Sequence, residues 1–207
     1  VITTGQSRSP GFFGGGRTAG SETILRQLEA AEEDGSIEAV VLRVDSPGGS
    51  AYASDEIWRA VEQFQRSGKP VVVSMGGVAA SGGYYVSSGA DAIYASPSTI
   101  TGSIGVIGGK FSMEGLYDKL GIRYELYNRG RNAGMFSSSK PFDDTEFAAF
   151  DKMIGDIYRQ FTNKVAVGRA MGQEEVEKVA RGRVWSGTDA RDRKLVDELG
   201  GFGAAVA

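Results

Sequence analysis

Ser81 lies in a stretch of small residues that could present a serine nucleophile, the sequence PVVVSMGGVAASGGYYVSSG at positions 70–89. The apolar run 71–73 predicts a buried strand, residues 75–77 predict a turn, and residues 79–83 predict the start of a helix. Ser81 is therefore expected near a helix N-terminus, where free backbone N–H groups and the helix dipole stabilise an alkoxide or an oxyanion. The same position suits a plain helix cap with close-packed glycines, because serine is a preferred capping residue.

Two missing residue types restrict this chemistry, since the chain contains no His and no Cys. A Ser-His-Asp triad, a thiol nucleophile, a disulfide and metal sites built from imidazole or thiolate are therefore excluded within it. If Ser81 is a nucleophile, lysine is the leading candidate for its base, because burial can lower the pKa of an amine until it is neutral near physiological pH. We expect no cofactor and no metal.

A second glycine turn is expected beside Ser81. The sequence DSPGG at residues 45–49 directly follows a predicted strand at residues 37–44. Its glycines, Gly48 and Gly49, allow a ligand to approach backbone N–H groups closely. Strands and helices alternate in this region, which predicts right-handed crossovers and a parallel sheet. The turn and Ser81 would then be neighbours at the carboxyl edge of the sheet, where open α/β sheets bind ligands.

Residues 21–207 are predicted to form one domain, preceded by a flexible Gly/Ser-rich arm at residues 1–20 that packs only through Phe12 and Phe13. Helical periodicity, with Ser21 as the first cap, predicts helices at residues 22–31, around 57–64, and at 111–120, 145–170, 174–180 and 187–195. Further strands are predicted at residues 92–95 and 124–127, and a strand or a turn at residues 183–185.

The composition is that of a globular protein, with 207 residues, 41% hydrophobic and 24% charged. This length fits one large domain or two small ones. The net charge of -3 and the acidic pI near 5.2 argue against a nucleic-acid partner. The sequence has no apolar run of about 18 residues and no signal-peptide pattern. Because it starts at Val1, we expect the chain to be a fragment or a processed form.

Four motifs occur in order along the chain: DSPGG at 45–49, MGGVAASGGYY at 75–85, TGSIG at 101–105, and GRVWSG at 182–187 followed by LVDELG at 195–200. With these motifs the chain resembles the signal peptide peptidase A family, serine peptidase family S49, over residues 22–201. The resemblance implies an α/β fold of the Clp protease/crotonase type, a repeated β-β-α superhelix with a mostly parallel sheet.

The resemblance also implies roles for individual residues. It makes Ser81 the nucleophile, and it assigns one oxyanion-hole N–H to Gly48 or Gly49 and a second to Gly82. Ser103, in the TGSIG motif, corresponds to a residue that helps to hold the base.

The base itself departs from the family pattern. In single-domain members the catalytic Lys falls in a segment that corresponds here to residues 129–136, and its position falls near Ala133. The nearby Lys140, Lys110 and Lys119 are predicted to be solvated surface charges, as lysines usually are.

Two-domain members of the family suggest an explanation, because their C-terminal half keeps the Ser while the Lys comes from the N-terminal half. The chain resembles such a C-terminal half, so a Lys-bearing N-terminal domain is expected to supply the base and the isolated chain to be weakly active or inactive. The alternative is a Lys-to-Ala change at Ala133.

The implied function is that of a serine endopeptidase with a Ser-Lys dyad, which cleaves apolar peptides such as released signal peptides. A ring- or bowl-shaped homo-oligomer is expected, associated with the membrane, facing the periplasm or cell exterior, and anchored by a segment outside this chain. One alternative is a degenerate peptidase-fold domain that binds peptides or supports assembly. Another is crotonase-type acyl-CoA chemistry, which does not need a Ser at position 81.

Overall fold

The computed structural model describes residues 1–9 and 16–207, so the predicted packing of Phe12 and Phe13 lies outside the described residues. The chain divides into two compact units. The first consists of Val1–Gly105 with Gln160–Ala207, and the second of Val106–Arg159.

The strands are β1 (Ile2–Thr3), β2 (Ala19–Gly20), β3 (Val40–Ser46), β4 (Val71–Ala80), β5 (Ala92–Ala95), β6 (Ile100–Gly102), β7 (Val184–Ser186) and β8 (Glu198–Leu199). The helices are α1 (Ser21–Glu33), α2 (Ala51–Arg66), α3 (Gly82–Ser87), α4 (Glu114–Leu120), α5 (Asp144–Gly168), α6 (Gln173–Val179), α7 (Gly187–Asp192) and α8 (Phe202–Val206).

The sheet of the first unit is built around β4, which pairs in parallel with β3, β5 and β6. β8 continues the sheet in parallel beyond β5, and β7 closes the other side antiparallel to β6. The mostly parallel sheet predicted from the alternation of strands and helices is therefore confirmed. The parallel pairing of β3 with β4 brings the carboxyl ends of both strands to one edge.

β4 is longer than its sequence indicated, since it runs for 10 residues through the glycines at which a turn was predicted. The prediction of a turn at residues 75–77 was wrong. The register of β3 against β4 shifts between Val44 and Ser46, and the extra residues lie in β4. An ideal Cβ on Gly76 would lie 2.7 Å from the Cβ of Asp45. Gly76 is thus needed for the close approach of the Asp45 side chain.

The core of the first unit lies between the sheet and α2, whose Ile57, Trp58, Val61 and Phe64 are buried. α1 differs from its prediction at its start. Ser21 lies inside the helix and its Oγ donates to Glu56 Oε2 over 2.7 Å, while Gly20 is the N-cap residue.

The N-terminal segment packs through residues other than those predicted, in β1 and β2. β1 pairs in parallel with β2, and Ile2 is only 3% exposed. The Ile2 N–H donates to the Gly48 carbonyl over 2.8 Å, and the Ser50 N–H donates back to the Ile2 carbonyl over 3.0 Å. β1 is therefore fixed against the DSPGG turn.

The second unit contains α4, the first part of α5 and long irregular segments. The strand predicted at residues 124–127 is absent, since residues 122–129 adopt no regular structure. An isolated strand without a neighbour cannot satisfy its backbone groups, which explains why alternation alone was misleading here. Elsewhere in the second unit, Phe142 stacks on Phe150 with ring centroids 5.1 Å apart. Within residues 1–9 and 16–207, no helix has the length and apolar character needed to cross a membrane.

Candidate active site

Ser81 joins the end of β4 to the start of α3 in a backbone conformation that side chains rarely adopt, with φ 53° and ψ -119°. Such a conformation costs on the order of 1–3 kcal/mol and persists only where the surroundings impose it. The side chain makes no capping hydrogen bond to the helix, although Ser81 occupies the N-cap position. The capping interpretation therefore does not explain the serine hydroxyl.

The DSPGG turn lies directly against Ser81. An ideal Cβ on Gly48 would lie 2.8 Å from both the Gly82 nitrogen and the Ser81 Cβ, and the φ of Gly48 is 108°. Gly82 in turn leaves no room for a side chain, because its ideal Cβ would lie 2.5 Å from Ser54 Oγ and 3.2 Å from the Gly49 nitrogen. The structure thus brings Ser81, Gly48, Gly49 and Gly82 together.

Two backbone N–H groups in this cluster have no hydrogen-bond acceptor within the described part of the chain, those of Gly49 and Gly82. Gly82 opens α3, where helix N–H groups lack an intrahelical partner. The Gly48 N–H, in contrast, donates to Ser46 Oγ over 3.1 Å. Free N–H groups that lie this close together can stabilise an oxyanion, and the arrangement favours Gly49 over Gly48 for that purpose.

Ser103 directly follows β6, the strand that pairs with the end of β4. Ala80 and Gly102 are register partners in β4 and β6, and the Ser81 N–H donates to the Gly102 carbonyl over 2.9 Å. The Ser103 N–H donates to the Arg183 carbonyl over 2.7 Å, and its φ is 49°. Neither the Ser81 nor the Ser103 hydroxyl forms a hydrogen bond with another described residue.

A base for Ser81 is missing from the described residues of the first unit. Lys69 donates to three backbone carbonyls at the end of α1, those of Ala31, Glu32 and Asp34. Lys164 lies 3.3 Å from the centroid of the Trp58 ring. Burial lowers the pKa of the Lys164 amine below its ordinary value. No hydrogen bond of a described lysine in this unit reaches Ser81.

Two lysines of the second unit, Lys110 and Lys140, differ from their predictions. Lys110 is not a solvated charge, because its Nζ is buried without a hydrogen-bond partner among the described residues and lies 4.4 Å from the centroid of the Phe142 ring. Lys140 is paired with Glu146 Oε1 at 2.8 Å, and the hydrogen bond to this carboxylate raises the pKa of the Lys140 amine. Lys119 is exposed, as predicted. Ala133 lies in a turn in which its N–H donates to the Gly130 carbonyl over 3.3 Å.

Sequence reasoning missed two groups beside the site, Ser46 and the backbone of Ile2. Ser46 Oγ bonds to both the N–H and the carbonyl of Gly48. A serine two residues before a turn glycine is a signal that could have identified this contact, because short side-chain oxygens accept hydrogen bonds from nearby turn N–H groups. Nothing in the local sequence predicts the docking of Ile2, because the contact joins distant parts of the chain.

Comparison with known proteins assigns the chain to a family. The model of peptidase family S49 matches residues 63–207, and the model of Clp protease matches residues 15–101. Serine protease SPPA, chloroplastic, of Arabidopsis thaliana is 40% identical over 188 residues, which cover 90% of this chain and 28% of the plant protein. Protease 4 of Haemophilus influenzae is 42% identical over 196 residues, which cover 91% of this chain and 30% of that protein.

A third relative, from Enterococcus faecium, is named as a signal peptide peptidase SppA and is 36% identical over 86% of this chain and 52% of its own length. The chain thus spans about a third of the first two relatives and about half of the third. Among solved structures, a ClpP1 mutant from Listeria monocytogenes superposes with a TM-score of 0.63 at 18% identity, covering 90% of this chain and 87% of that one. The predicted Clp protease fold is therefore confirmed, and the chain belongs to peptidase family S49.

Proposed function

We propose that this chain is the serine-bearing domain of a peptidase that works with a Ser-Lys dyad. The observation that carries the proposal is the position of Ser81 in a strained strand-to-helix turn beside the N–H groups of Gly49 and Gly82. The Ser81 hydroxyl and these two N–H groups have no hydrogen-bond partner among the described residues. A nucleophile and two oxyanion donors are the parts that acyl transfer needs apart from a base.

In the proposed reaction, Ser81 Oγ attacks the carbonyl carbon of a peptide bond while a lysine amine takes the hydroxyl proton. The resulting oxyanion accepts hydrogen bonds from Gly49 and Gly82. The tetrahedral intermediate collapses when the lysine returns the proton to the leaving amine, which yields an acyl-enzyme that water then hydrolyses. Loss of one such donor typically raises the barrier by about 3 kcal/mol.

The lysine is proposed to come from a partner domain. The absence of a lysine contact to Ser81 within the described part of the first unit supports this, as does the raised pKa of Lys140, which keeps that amine charged at neutral pH. The greater length of the relatives is compatible with a second domain, since the chain covers 28% of the Arabidopsis protein and 30% of the Haemophilus protein. Ser103 would hold the incoming amine beside Ser81.

The proposed substrates are apolar peptides such as released signal peptides. The name of the Enterococcus relative supports this choice. Extended peptides bind along sheet edges mainly through backbone hydrogen bonds, and the site lies at the carboxyl edge of β3, β4 and β6.

A homo-oligomeric ring or bowl at the outer face of the membrane is proposed as the working assembly. The second unit exposes large apolar side chains, which in isolation would be unfavourable in water and which an assembly would cover. They include Ile107, Phe111, Leu120, Tyr127, Phe136 and Phe147. The Clp protease fold of the chain also supports an oligomeric assembly.

A second candidate is a degenerate domain that binds peptides or supports assembly without cleaving them. The lack of a lysine hydrogen bond to Ser81 within the described residues of the first unit favours it. A pure scaffold, however, has no need for a strained serine with two free N–H groups at its side.

The deciding experiment is labelling with a fluorophosphonate probe, read by mass spectrometry on the peptide that contains Ser81. The chain is tested alone and together with the lysine-bearing domain, and Ser81→Ala is the control. Labelling that requires the partner supports the split dyad. Labelling of the isolated chain that is lost in Lys110→Ala or Lys140→Ala would instead place the base within the chain. No labelling in either sample would overturn the peptidase and favour the scaffold.

A further inference from the structure

The carbonyl of Gly48 is held from two sides. The Ile2 N–H donates to it over 2.8 Å, and Ser46 Oγ lies 3.3 Å from it. Ser46 also accepts the Gly48 N–H over 3.1 Å, so that one buried hydroxyl bonds to both ends of this residue. None of these contacts involves the Ser81 hydroxyl or the N–H groups of Gly49 and Gly82.

The orientation of this carbonyl determines where the Gly49 N–H points. The two groups belong to the same peptide unit, and in a trans peptide the carbonyl and the following N–H point in opposite directions. The described residues contain no cis peptide. Since the Gly48 carbonyl points to Ile2, the Gly49 N–H points to the other side, where the Gly49 nitrogen lies 3.2 Å from the ideal Cβ position of Gly82.

A peptide between two glycines needs such restraint. Gly48 and Gly49 have φ values of 108° and 154°, and glycine passes between backbone conformations more easily than any other residue. If this peptide flipped, the Gly48 carbonyl oxygen would face Ser81 and the Gly49 N–H would face away. An oxyanion would then meet a partial negative charge in place of a donor.

β1 is well suited to provide this restraint. Ile2 is held by its buried side chain and by the hydrogen bond from Ser50 to its carbonyl. Its carbonyl also lies so close to Gly49 that an ideal Cβ on that glycine would collide with it. The strand and the turn therefore fix each other.

We propose that Ser46 and the Ile2 N–H are positioning groups that keep the Gly48–Gly49 peptide oriented with the Gly49 N–H towards Ser81. This inference rests on the proposed peptidase function. It adds that the oxyanion donor is preorganised by a strand from the start of the chain, and that turnover depends on residues that never contact the peptide substrate.

The kinetic test uses the active assembly of the chain with its lysine-bearing domain. Ser46→Ala and Ile2→Pro each remove one restraint, since proline has no N–H. Ile2→Ala keeps the N–H while it removes most of the buried side chain. Ser74→Ala is the control for a buried serine, because its hydroxyl contacts Arg43 rather than the turn.

We expect Ser46→Ala and Ile2→Pro to lower kcat about tenfold to a hundredfold while KM changes by less than about twofold, because the lost interaction acts only on the transition state. Binding of a peptide boronate, which forms a tetrahedral adduct, should weaken by the same factor. Ser74→Ala should retain kcat, and Ile2→Ala, which keeps the N–H but loosens the packing of β1, should lower kcat less than Ile2→Pro does. Equal losses in Ile2→Pro and Ile2→Ala, or an unchanged kcat in Ser46→Ala, would overturn the inference.

A second measurement separates this inference from the peptidase proposal. The amide resonance of Gly49 in the isolated chain should be single in the unmodified protein and broadened or doubled in Ser46→Ala, because the peptide then samples both orientations. This result does not depend on catalysis. If Ser81 is never labelled but the Gly49 resonance behaves as expected, only the peptidase proposal fails. A sharp, unshifted Gly49 resonance in Ser46→Ala would refute the positioning role even where labelling succeeds.

Discussion

Ser81 and Ser103 occupy equivalent positions at the ends of two adjacent parallel strands, because the residues that precede them, Ala80 and Gly102, are register partners. Both serines have positive φ values, 53° and 49°. Adjacent strands lie about 4.8 Å apart, so one amine can reach hydroxyls on both. This relationship gives a geometric reason why a base shared by two serines fits the end of this sheet.

Removal of the Ser103 hydroxyl should therefore impair catalysis without preventing folding. We expect Ser103→Ala to lower kcat about tenfold to a hundredfold in the assembly with the proposed lysine-bearing domain, because the proposed amine base would lose a hydrogen bond that orients it. The acidic limb of the pH profile of kcat should shift as well. Steady-state kinetics between pH 5 and pH 10 measure both effects.

Thr101→Val is the matched control for this prediction. The Thr101 hydroxyl is buried on the same strand and donates to the Ala79 carbonyl over 2.7 Å. Its loss should cost about 1 kcal/mol of unfolding free energy and leave the pH profile in place. If Ser103→Ala and Thr101→Val gave the same kinetic change, Ser103 would have no special part in holding the base.

The Gly48 turn should not tolerate a methyl group. In Gly48→Ala the new Cβ would meet the Gly82 nitrogen and the Ser81 Cβ at 2.8 Å, in a conformation with φ 108° that side chains rarely adopt. We expect a loss of at least about 1–3 kcal/mol in unfolding free energy and no labelling of Ser81. Gly68→Ala tests strain alone, because φ is 86° there and no atom lies within 4 Å of the added Cβ. That variant should lose about 1 kcal/mol and keep full labelling in the active assembly.

The charged side chains around Asp55 should contribute to the free energy of unfolding. Asp55 accepts hydrogen bonds from Tyr85 over 2.8 Å and from Arg59 over 2.7 Å, and it lies 3.4 Å from the Lys164 amine. Burial tends to raise the pKa of Asp55, but the hydrogen bonds from Arg59 and Tyr85 and the Lys164 charge together keep it below its ordinary value.

Asp55→Asn should cost about 1–3 kcal/mol of unfolding free energy, because it leaves the Lys164 amine largely buried without a counter-charge. Lys164→Met should cost less, since Asp55 keeps its other two partners. Urea unfolding monitored by Trp fluorescence measures both values. A larger loss for Lys164→Met than for Asp55→Asn would show that the contact with Trp58 outweighs the ion pair.

Asp143 should make the stability of the second unit sensitive to acid. Hydrogen bonds from the Glu146 N–H and the Thr145 hydroxyl lower the pKa of this carboxyl to about 2. Because the unfolded value is near 3.9, the ionised form stabilises the folded state above about pH 4, and this contribution is lost as the pH falls through about 2.

Asp143→Asn keeps an amide oxygen for the helix cap and removes the charge, so it should flatten the decline in stability between pH 5 and pH 2. Asp144→Asn removes a carboxylate from the same helix turn without these hydrogen bonds, and should leave the decline unchanged. Denaturant unfolding at several pH values compares the three proteins. The same decline in all three would exclude Asp143 as its source.

The sequence was informative about the site because strand order alone determines which turns are neighbours. The contact between the Gly48 turn and Ser81 follows from two parallel strands joined by α2, and it required no knowledge of side-chain packing. Local patterns failed where distant contacts decide the structure. The glycines of β4 resembled a turn, yet Gly76 is there because Asp45 approaches it from another strand.

Lys110 illustrates the same limit for charges. Nothing near it in the sequence indicates that its amine is buried over the ring of Phe142, which lies far along the chain. The choice between Gly48 and Gly49 was also beyond the sequence, because it depends on which N–H is already bonded to Ser46.

The docking of β1 links the thermal behaviour of the site to a strand of only two residues. So short a strand opens by local unfolding at a lower free energy than the core of a domain. When β1 detaches, the Gly48–Gly49 peptide loses one of its restraints while the sheet around β4 stays intact. Heat inactivation should therefore begin below the temperature at which the domain unfolds.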